Sequence, residues 1–253
     1  MHAIILAAGR GNRLADFNPD GRPKCLLEFG GRSLIARQLD ILAQMGVAKA
    51  TLVLGYEADR VIEHVGTLAS RPELAFVYNP AYLDGSVLSL LAARDVMTRA
   101  ASVLVLDADV LFHPRIMQSL IESPHENCFL IDRDFDSGDE PVKVAIHRGR
   151  MVEFRKALPA DLKFQVLGES VGFFKFDGNI AVKIAQICMG YKSEGLLDAP
   201  HEEALRDILL ALPRAFAYED ITGLPWLEVD FPEDIERAVK EVLPAIRNDI
   251  EDF

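Results

Sequence analysis

The chain has 253 residues, half of them hydrophobic, which is enough to bury a sizeable core in one α/β domain. Its 39 acidic and 27 basic residues leave a formal net charge of −12, which opposes binding to nucleic acid or to an anionic membrane. Three widely separated cysteines indicate neither a disulfide framework nor a cysteine-type zinc site. No apolar run reaches the roughly 18 residues of a membrane span. We therefore expect a cytoplasmic protein.

The first 111 residues predict an alternation of strands and helices. Short apolar runs predict buried strands at Ala3–Ala8, Thr51–Leu54, Ala75–Tyr78 and Val103–Leu106. Helical periodicity lies between these runs, at Ser33–Met45, Ala58–Val65 and Ser86–Met97. Such alternation predicts a mostly parallel sheet with helices on both faces, whose ligands bind at the carboxyl ends of the strands.

From residue 112 onward the pattern changes to shorter strands followed by helices. The predicted strands are Cys128–Ile131, Val142–Ile146, Met151–Phe154 and Val171–Phe176. The predicted helices are Asn179–Met189, Glu202–Leu210 and Pro232–Val242. Because no linker or low-complexity tract interrupts the chain, we predict a single domain over residues 1–253 with a mixed, mostly parallel sheet.

The stretch LAAGRGNRL, residues 6–14, directly continues the first predicted strand. A Walker loop requires a lysine directly after its last glycine, but here the lysine comes only at Lys24. A dinucleotide-binding fingerprint requires a third glycine where Leu14 stands. The glycines allow backbone N–H groups to approach phosphate oxygens, and Arg13 and Lys24 supply positive charge. From these residues alone, a plain glycine-rich turn stays open.

Aspartates follow two later apolar runs. In VLVLDADV, Asp107 and Asp109 are two residues apart, so in an extended segment both carboxylates point the same way. Carboxylate oxygens suit Mg²⁺, which completes its shell with phosphates and water, and Asp230 in WLEVDFPED is a third candidate ligand. Helix capping is the alternative for each of them, and Asp230 with Glu233 has the spacing of a capping box around Pro232.

The glycine loop with its downstream Pro23-Lys24 resembles the signature loop of the nucleotidyltransferases that activate phosphorylated sugars and alcohols, including phosphocholine cytidylyltransferases. The resemblance continues in order through the Asp-x-Asp pair, the segment GES at 168–170 and the final Val-Asp at 229–230. It implies the nucleotidyltransferase fold, which is a Rossmann-like α/β domain, and a loop that wraps the triphosphate of a nucleotide. The residues that it places at the nucleotide are Leu6, Ala7, Ala8, Gly9, Gly11, Arg13, Lys24, Asn79, Ser86 and Ser89.

The same resemblance implies catalytic roles for Arg13, Lys24 and Asp107, and a Mg²⁺ ion held by Asp107 and Asp230 with Asp109 beside them. It divides the chain into a nucleotide-binding half, 1–111, and an acceptor-binding half, 112–253. The candidate acceptor residues are Lys143, Lys156, Glu169, Glu202 and Trp226.

Simpler structural roles stay open for several of these residues. The two lysines are also typical of a solvated face, and Glu202 is typical of the favourable charge at a helix N-terminus. Ser86 is also an ordinary N-cap residue.

These features predict a Mg²⁺-dependent cytidylyltransferase that transfers CMP from CTP to a small phosphorylated or phosphonate alcohol and releases pyrophosphate. The acceptor is expected to be of the phosphocholine or 2-aminoethylphosphonate type. Choline itself is disfavoured, because the stretch 140–146 lacks the tryptophan expected for an aromatic cage. A sugar-1-phosphate or inositol-phosphate nucleotidyltransferase and a catalytically silent nucleotide-binding regulator are the alternatives, and a homodimer stays open.

Overall fold

The computed structural model of the chain describes residues 1–11, 13–14, 18, 20–136 and 138–251, with the backbone alone from 248 onward. The strands are β1 (His2–Ala7), β2 (Glu28–Phe29), β3 (Arg32–Ser33), β4 (Lys49–Leu54), β5 (Glu73–Tyr78), β6 (Ser102–Asp107), β7 (Val110–Phe112), β8 (Cys128–Asp132), β9 (Lys143–His147), β10 (Arg150–Arg155), β11 (Val166–Asp177), β12 (Ala217–Asp220) and β13 (Trp226–Glu228). The α-helices are α1 (Leu34–Gln44), α2 (Ala58–Gly66), α3 (Ser86–Ala92), α4 (Arg94–Arg99), α5 (Pro114–Glu122), α6 (Gly178–Ser193), α7 (His201–Ala211), α8 (Pro232–Arg237) and α9 (Leu243–Glu251).

The central sheet is parallel on one side and mainly antiparallel on the other, where β12 nevertheless pairs in parallel with β8. Its strands lie in the order β10-β9-β11-β6-β1-β4-β5, with β8 paired to β11 and to β12. The four strands from the first half, β6, β1, β4 and β5, all pair in parallel. The long strand β11 pairs antiparallel with β6. It also pairs antiparallel with β9, and thereby connects the strands of the second half of the chain to those of the first. The predicted mixed, mostly parallel sheet is confirmed.

Helices cover both faces of this sheet, as predicted. Adjacent residues of β1 point into different cores: Ile5 packs with α1, α2 and α5, whereas Ile4 packs with α3, α4, α6 and α7. Burial on both faces explains why the strand reads as a continuous apolar run. The predicted cap of the first helix is also confirmed, because Ser33 Oγ accepts a hydrogen bond of 3.2 Å from the backbone N–H of Ala36.

Two predicted helices differ from those in the structure. The predicted helix Ser86–Met97 breaks at Ala93 into α3 and α4, although no glycine or proline marks the break, and the second piece packs on α6 with Met97 fully buried. The predicted helix Pro232–Val242 continues through a π-helical turn into α9.

The capping residue of α8 also differs from the prediction. Asp234, rather than Asp230 or Glu233, accepts hydrogen bonds from the backbone N–H groups of Asp230 and Phe231, at 2.9 and 2.7 Å. The carboxylate of Asp230 is therefore available for other contacts.

A third apolar cluster lies beneath the glycine loop and was not predicted from the sequence. It packs Leu14 of the loop and Phe29 of β2 against Leu227 of β13 and against Leu243 and Ile246 of α9. The short strand β13 pairs antiparallel with β7, which places Glu228 opposite Val110. The C-terminal part of the chain is thereby brought to the carboxyl end of β6.

A buried ion pair joins β10 to α7 and leads to a prediction about stability. Glu153 is 4% exposed and accepts hydrogen bonds of 2.5 and 2.8 Å from Arg206. Burial alone would raise the pKa of Glu153, but the bonds from Arg206 and from the backbone of Phe154 hold it below its ordinary value. The pair is therefore fully formed at neutral pH.

Glu153→Leu should lower the free energy of unfolding by about 3 kcal/mol, because Arg206 loses both of its hydrogen bonds to Glu153 and keeps only the longer contact of 3.9 Å with Asp207. Urea unfolding followed by circular dichroism measures this loss. The double variant Glu153→Leu with Arg206→Met removes both charges and should recover most of the stability. A single variant as stable as the unchanged protein, or a double variant no more stable than the single, would contradict the assignment.

Candidate active site

The glycine loop leaves β1 at the carboxyl edge of the sheet and is fixed there by Tyr56. The backbone N–H of Tyr56 donates to the carbonyl of Ala8 at 3.0 Å, and its hydroxyl donates to the carbonyl of Gly21, also at 3.0 Å. Gly11 has a φ of +68°, and a Cβ there would lie 3.2 Å from the Cβ of Lys24. A glycine at this position therefore allows the loop to turn close to Lys24.

The loop borders a cavity of about 430 Å³. Most of the residues predicted to contact the nucleotide line it, namely Leu6, Ala7, Gly9, Gly11, Arg13 and Lys24. Ala8 is buried at 4% exposure, and its carbonyl is occupied by Tyr56. Apolar strand ends, glycines and three cationic side chains, Arg13, Lys24 and Lys156, give this cavity the character of a site for a phosphorylated ligand.

Lys24 lies between two carboxylates on the floor of this cavity. Its ammonium group donates to Asp109 Oδ2 at 2.7 Å and also to Asp230 Oδ1. Burial would lower the pKa of Lys24, but the negative charges of Asp109 and Asp230 outweigh it and raise the pKa above its ordinary value. Lys24 is therefore a fixed positive charge at neutral pH.

Three carboxylates meet beside this lysine. Ligand oxygens of Asp109, Glu228 and Asp230 all lie within 4.8 Å of one another. The second oxygen of Asp109, Oδ1, is buried and has no hydrogen-bond partner among the described residues. Asp109 and Asp230 are partly buried, whereas Glu228 is exposed to solvent. Such crowded carboxylate oxygens, one of them unpartnered, fit a hard divalent cation such as Mg²⁺.

Asp107 lies outside this group of three. Strand β6 ends at Asp107 and the chain turns before Asp109, so the two side chains do not keep the common direction of an extended segment. Asp107 Oδ1 lies 3.7 Å from His201 Nε2, and its other oxygen faces Gly172, where a Cβ would collide with it. Burial, Asp109 and Glu202 raise the pKa of Asp107 well above its ordinary value.

Arg13 is half exposed at the mouth of the first cavity. Its guanidinium lies 3.3 Å from Glu140 Oε2 and 3.5 Å from Asp230 Oδ2, and it stacks over the ring of Phe231 at 4.8 Å. These contacts span the opening between the glycine loop and the second half of the chain. Arg13 and Lys24 thus approach Asp230 from two sides.

A second cavity of about 520 Å³ adjoins the first, and Lys156 and Asp230 line both of them. Four of the five residues predicted to contact an acceptor line it, namely Lys156, Glu169, Glu202 and Trp226. The fifth, Lys143, is engaged elsewhere, because its ammonium donates to the carbonyls of Gly138 at 2.6 Å and Lys156 at 2.8 Å.

The second cavity is strongly acidic. Among the described residues, nine of its lining side chains are acidic and two, Lys156 and Arg237, are basic. Trp226 donates from Nε1 to Asp132 Oδ2 at 2.8 Å, which fixes the indole in the wall. Burial and the nearby Asp132 raise the pKa of Glu169 to about 7. This cavity therefore favours a ligand with a positively charged group.

Three residues predicted to contact the nucleotide hydrogen-bond within the fold, outside the described linings of both cavities. Asn79 and Ser89 are buried and bond to each other at 3.0 Å. Helix α3 has Gly85 as its N-cap, so Ser86 is not the cap, and its hydroxyl accepts a bond of 2.8 Å from the backbone N–H of His201 instead.

Comparison with known proteins identifies the family of this chain. A model of the MobA-like NTP transferase domain matches residues 3–169. The chain belongs to this family. The match runs from β1 through the glycine loop, Lys24 and Asp109 to Glu169 in β11. Within the described part of this NTP transferase domain, no helix is both long enough and apolar enough to cross a bilayer.

Two curated relatives of this NTP transferase domain match nearly all of the chain. CMP-5'-(3-aminopropyl)phosphonate synthase of Streptomyces rubellomurinus is 28% identical over 94% of this chain and 38% of its own length. CTP:phosphoglutamine cytidylyltransferase of Campylobacter jejuni is 22% identical over 95% of this chain and 100% of its own length. The chain thus spans about two fifths of the first relative and the whole of the second.

A solved structure supports the fold. The inositol-1-phosphate CTP transferase from T. maritima superposes with a TM-score of 0.79 at 21% identity, and the match covers 97% of this chain and 96% of that one. The NTP transferase domain therefore has the nucleotidyltransferase fold predicted from its sequence.

Proposed function

We propose that this domain is a cytidylyltransferase that transfers CMP from CTP to a small phosphonate or phosphate ester carrying an amine, with release of pyrophosphate. The observation that carries the proposal is the pair of adjoining cavities, one bordered by the glycine loop and the other acidic, which share Lys156 and Asp230. Residues 1–111 would serve mainly the nucleotide and residues 112–253 mainly the acceptor. The names of the two curated relatives, one of which refers to CMP and the other to CTP and cytidylyl transfer, support this proposal.

The chemistry requires two anions to approach each other. An oxygen of the acceptor phosphonate or phosphate attacks the α-phosphorus of CTP in line, forms the new P–O bond and displaces pyrophosphate. That oxygen is already ionised, so no nucleophilic side chain and no covalent enzyme intermediate are needed. Catalysis then depends on positioning and on positive charge held ready before the reaction begins.

Lys24 and Arg13 supply this charge at the boundary between the cavities. The ammonium of Lys24 is fixed by Asp109 and Asp230, and Arg13 reaches Asp230 from the exposed side. Both cations are placed to offset the charge that develops on pyrophosphate as it leaves. Lys156, which borders both cavities, is placed to contact the anionic end of the acceptor.

The residues that would hold Mg²⁺ are Asp109, Glu228 and Asp230, where a divalent cation adds positive charge against the phosphate oxygens. We assign Asp107, the other ligand candidate, to the adjacent wall between Gly172 and His201. Asp107 is not among the described carboxylates whose ligand oxygens all lie within 4.8 Å of one another.

The acidic second cavity suggests which acceptors the enzyme takes. An ammonium group is attracted by its carboxylates, among them Asp132 and Glu169, whereas a neutral or purely anionic acceptor is not. The phosphonate or phosphate of such an acceptor would then face Lys156 and the nucleotide. We therefore expect aminoalkyl phosphonates and phosphates to be preferred over sugar and inositol phosphates.

Pyrophosphate release tests the proposal directly. The protein is incubated with Mg²⁺ and each of four NTPs, paired with 2-aminoethylphosphonate, 3-aminopropylphosphonate, phosphoethanolamine, phosphocholine and several sugar or inositol phosphates. Ethylphosphonate and propylphosphonate serve as matched acceptors without the amine. We expect release with CTP and an amino acceptor and at least tenfold less with its amine-free partner. Release only with a sugar or inositol phosphate would overturn the amine assignment, and CTP binding without any release would indicate a silent regulator.

The raised pKa of Glu169 predicts a pH dependence of acceptor binding. Its carboxyl has a pKa of about 7 because burial and the charges of Asp132 and Asp136 outweigh the opposing effects of Lys143 and Arg237. The ionised fraction therefore rises about tenfold between about pH 6 and about pH 8, and the KM for an amino acceptor should fall by up to that factor.

Glu169→Gln provides the control for this prediction. The acceptor's own phosphonate also titrates near neutral pH, but it does so equally with both proteins. We therefore expect the ratio of the KM of the unchanged protein to the KM of Glu169→Gln to change with pH. The KM of the variant should change with pH only through ionisation of the acceptor. Identical pH profiles for the two proteins would show that Glu169 does not contact the amine.

A further inference from the structure

A buried histidine connects the two halves of the site. His201, the first residue of α7, is 3% exposed, and its ring packs edge-on against Phe174. It lies where the N-terminus of α3 meets the segment before α7, and a Cβ at Gly85 would collide with the carbonyl of Ala199 there. The backbone N–H of Gly85 donates to Leu197 O at 2.8 Å, so this junction is closely packed.

Ser86 makes two contacts with His201, one with its backbone and one with its ring. Ser86 Oγ accepts the backbone N–H of His201 at 2.8 Å and lies 3.0 Å from Nδ1 of the same residue. The hydroxyl has one proton to donate and a second lone pair, so it can either donate to Nδ1 or accept from it. Where Ser86 donates to Nδ1, the ring's own proton is on Nε2.

That second nitrogen points at Asp107. His201 Nε2 is buried, has no hydrogen-bond partner among the described residues, and lies 3.7 Å from Asp107 Oδ1. The other oxygen of Asp107 lies against Gly172, which leaves no room for a side chain. Asp107 is thus held between a glycine on one side and a ring N–H on the other.

The same helix turn also reaches the acceptor cavity. The next residue, Glu202, lines that cavity, and its Oε2 lies 3.2 Å from His201 Nδ1 without forming a hydrogen bond. A shift of less than 1 Å in the first turn of α7 would bring Nε2 within hydrogen-bond distance of Asp107. Contacts made by Glu202 in the cavity and the orientation of Asp107 are therefore linked through His201.

We propose that His201 is a positioning residue, which donates from Nε2 to Asp107 and holds that carboxylate at the carboxyl end of β6 while Ser86 fixes the ring through Nδ1. This inference rests on the proposed function for its kinetic consequence, but the protonation of the ring does not depend on activity. It assigns Ser86 to the support of His201.

The first test needs no substrate. In protein labelled with ¹⁵N-histidine, NMR spectra at neutral pH report which ring nitrogen carries a proton, and His201→Gln identifies the His201 signals by their loss. We expect a proton on Nε2. A ring with no proton on Nε2 would overturn the proposal.

The second test compares two amide side chains, asparagine and glutamine, at position 201. Glutamine places its side-chain N–H₂ near the position of Nε2, whereas asparagine reaches only the position of Nδ1. We expect His201→Asn to lower kcat by roughly 10- to 100-fold with the KM for CTP within about twofold, and His201→Gln to recover most of the loss. Equal activities of the two variants would overturn the proposal. His125→Gln, at an exposed position, is the control and should leave the rate unchanged.

A double-mutant cycle separates positioning from a general effect on folding. If His201 acts through Asp107, His201→Asn should add little to the loss already caused by Asp107→Asn. Full additivity of the two losses would overturn the proposal, and thermal unfolding of each variant checks the fold. Absence of pyrophosphate release by the unchanged protein with every acceptor would count against the proposed function alone, because the NMR result is still decisive for His201.

Discussion

Replacing Lys24 by alanine should lower kcat for pyrophosphate release by roughly 100- to 1,000-fold, the loss typical of removing one preorganised electrostatic contact. Lys24 is the buried ammonium that lies between Asp109 and Asp230 at the base of the glycine loop. Its raised pKa keeps it charged throughout the neutral range. Without it, the leaving pyrophosphate loses a counter-charge, and the neighbouring carboxylates repel the phosphates more strongly.

The measurement is steady-state pyrophosphate release at saturating Mg²⁺ and acceptor. Lys163→Ala is the matched control, because Lys163 is exposed in the segment between β10 and β11 and should leave kcat unchanged. Circular dichroism and thermal unfolding establish that the Lys24 variant is folded. Undiminished turnover by a folded Lys24→Ala protein would show that Lys24 has no catalytic role.

Asp230→Asn should reduce turnover by roughly 1,000-fold, at least as much as the change at Lys24. Asp230 contacts Arg13 and Lys24, contributes to the group of three carboxylates and lines both cavities. An asparagine keeps the shape of the side chain but removes the charge. We therefore expect a weaker site for Mg²⁺ and a less well-fixed Lys24 in the same variant.

Titration of activity with Mg²⁺ distinguishes these two contributions. For Asp230→Asn, the concentration of Mg²⁺ that gives half-maximal rate should rise at least tenfold, and saturation should restore only part of the rate. Asp161→Asn, at an exposed position before β11, provides the same chemical change outside the site. An unchanged Mg²⁺ requirement in Asp230→Asn would exclude this carboxylate as a ligand.

The sequence predicted the parallel part of the fold well, because its signals are local. Ile4 and Ile5 belong to a short apolar run typical of a strand buried on both faces, and the hydroxyl of Ser33 caps the start of a helix. The break at Ala93 could not be predicted, since neither neighbouring residue disfavours a helix and the cause is packing against α6.

The candidate site was predicted less completely, because its parts come from distant segments. Glu228 was missed although it stands two residues before Asp230, the same spacing that drew attention to Asp107 and Asp109. The short pairing of β13 with β7 brings it to Asp109, and no local pattern predicts that pairing. The contact of His201 with Asp107 likewise joins residues 94 positions apart in the chain.

The wall that Lys156 and Asp230 contribute to both cavities has a consequence for how the reaction ends. On the proposed function, the product contains the cytidine monophosphate and the acceptor in one molecule, so it occupies both cavities at once, whereas pyrophosphate touches only the glycine-loop side. The product must then release the contacts of both cavities in a single step. It is expected to leave after pyrophosphate and to compete with both substrates.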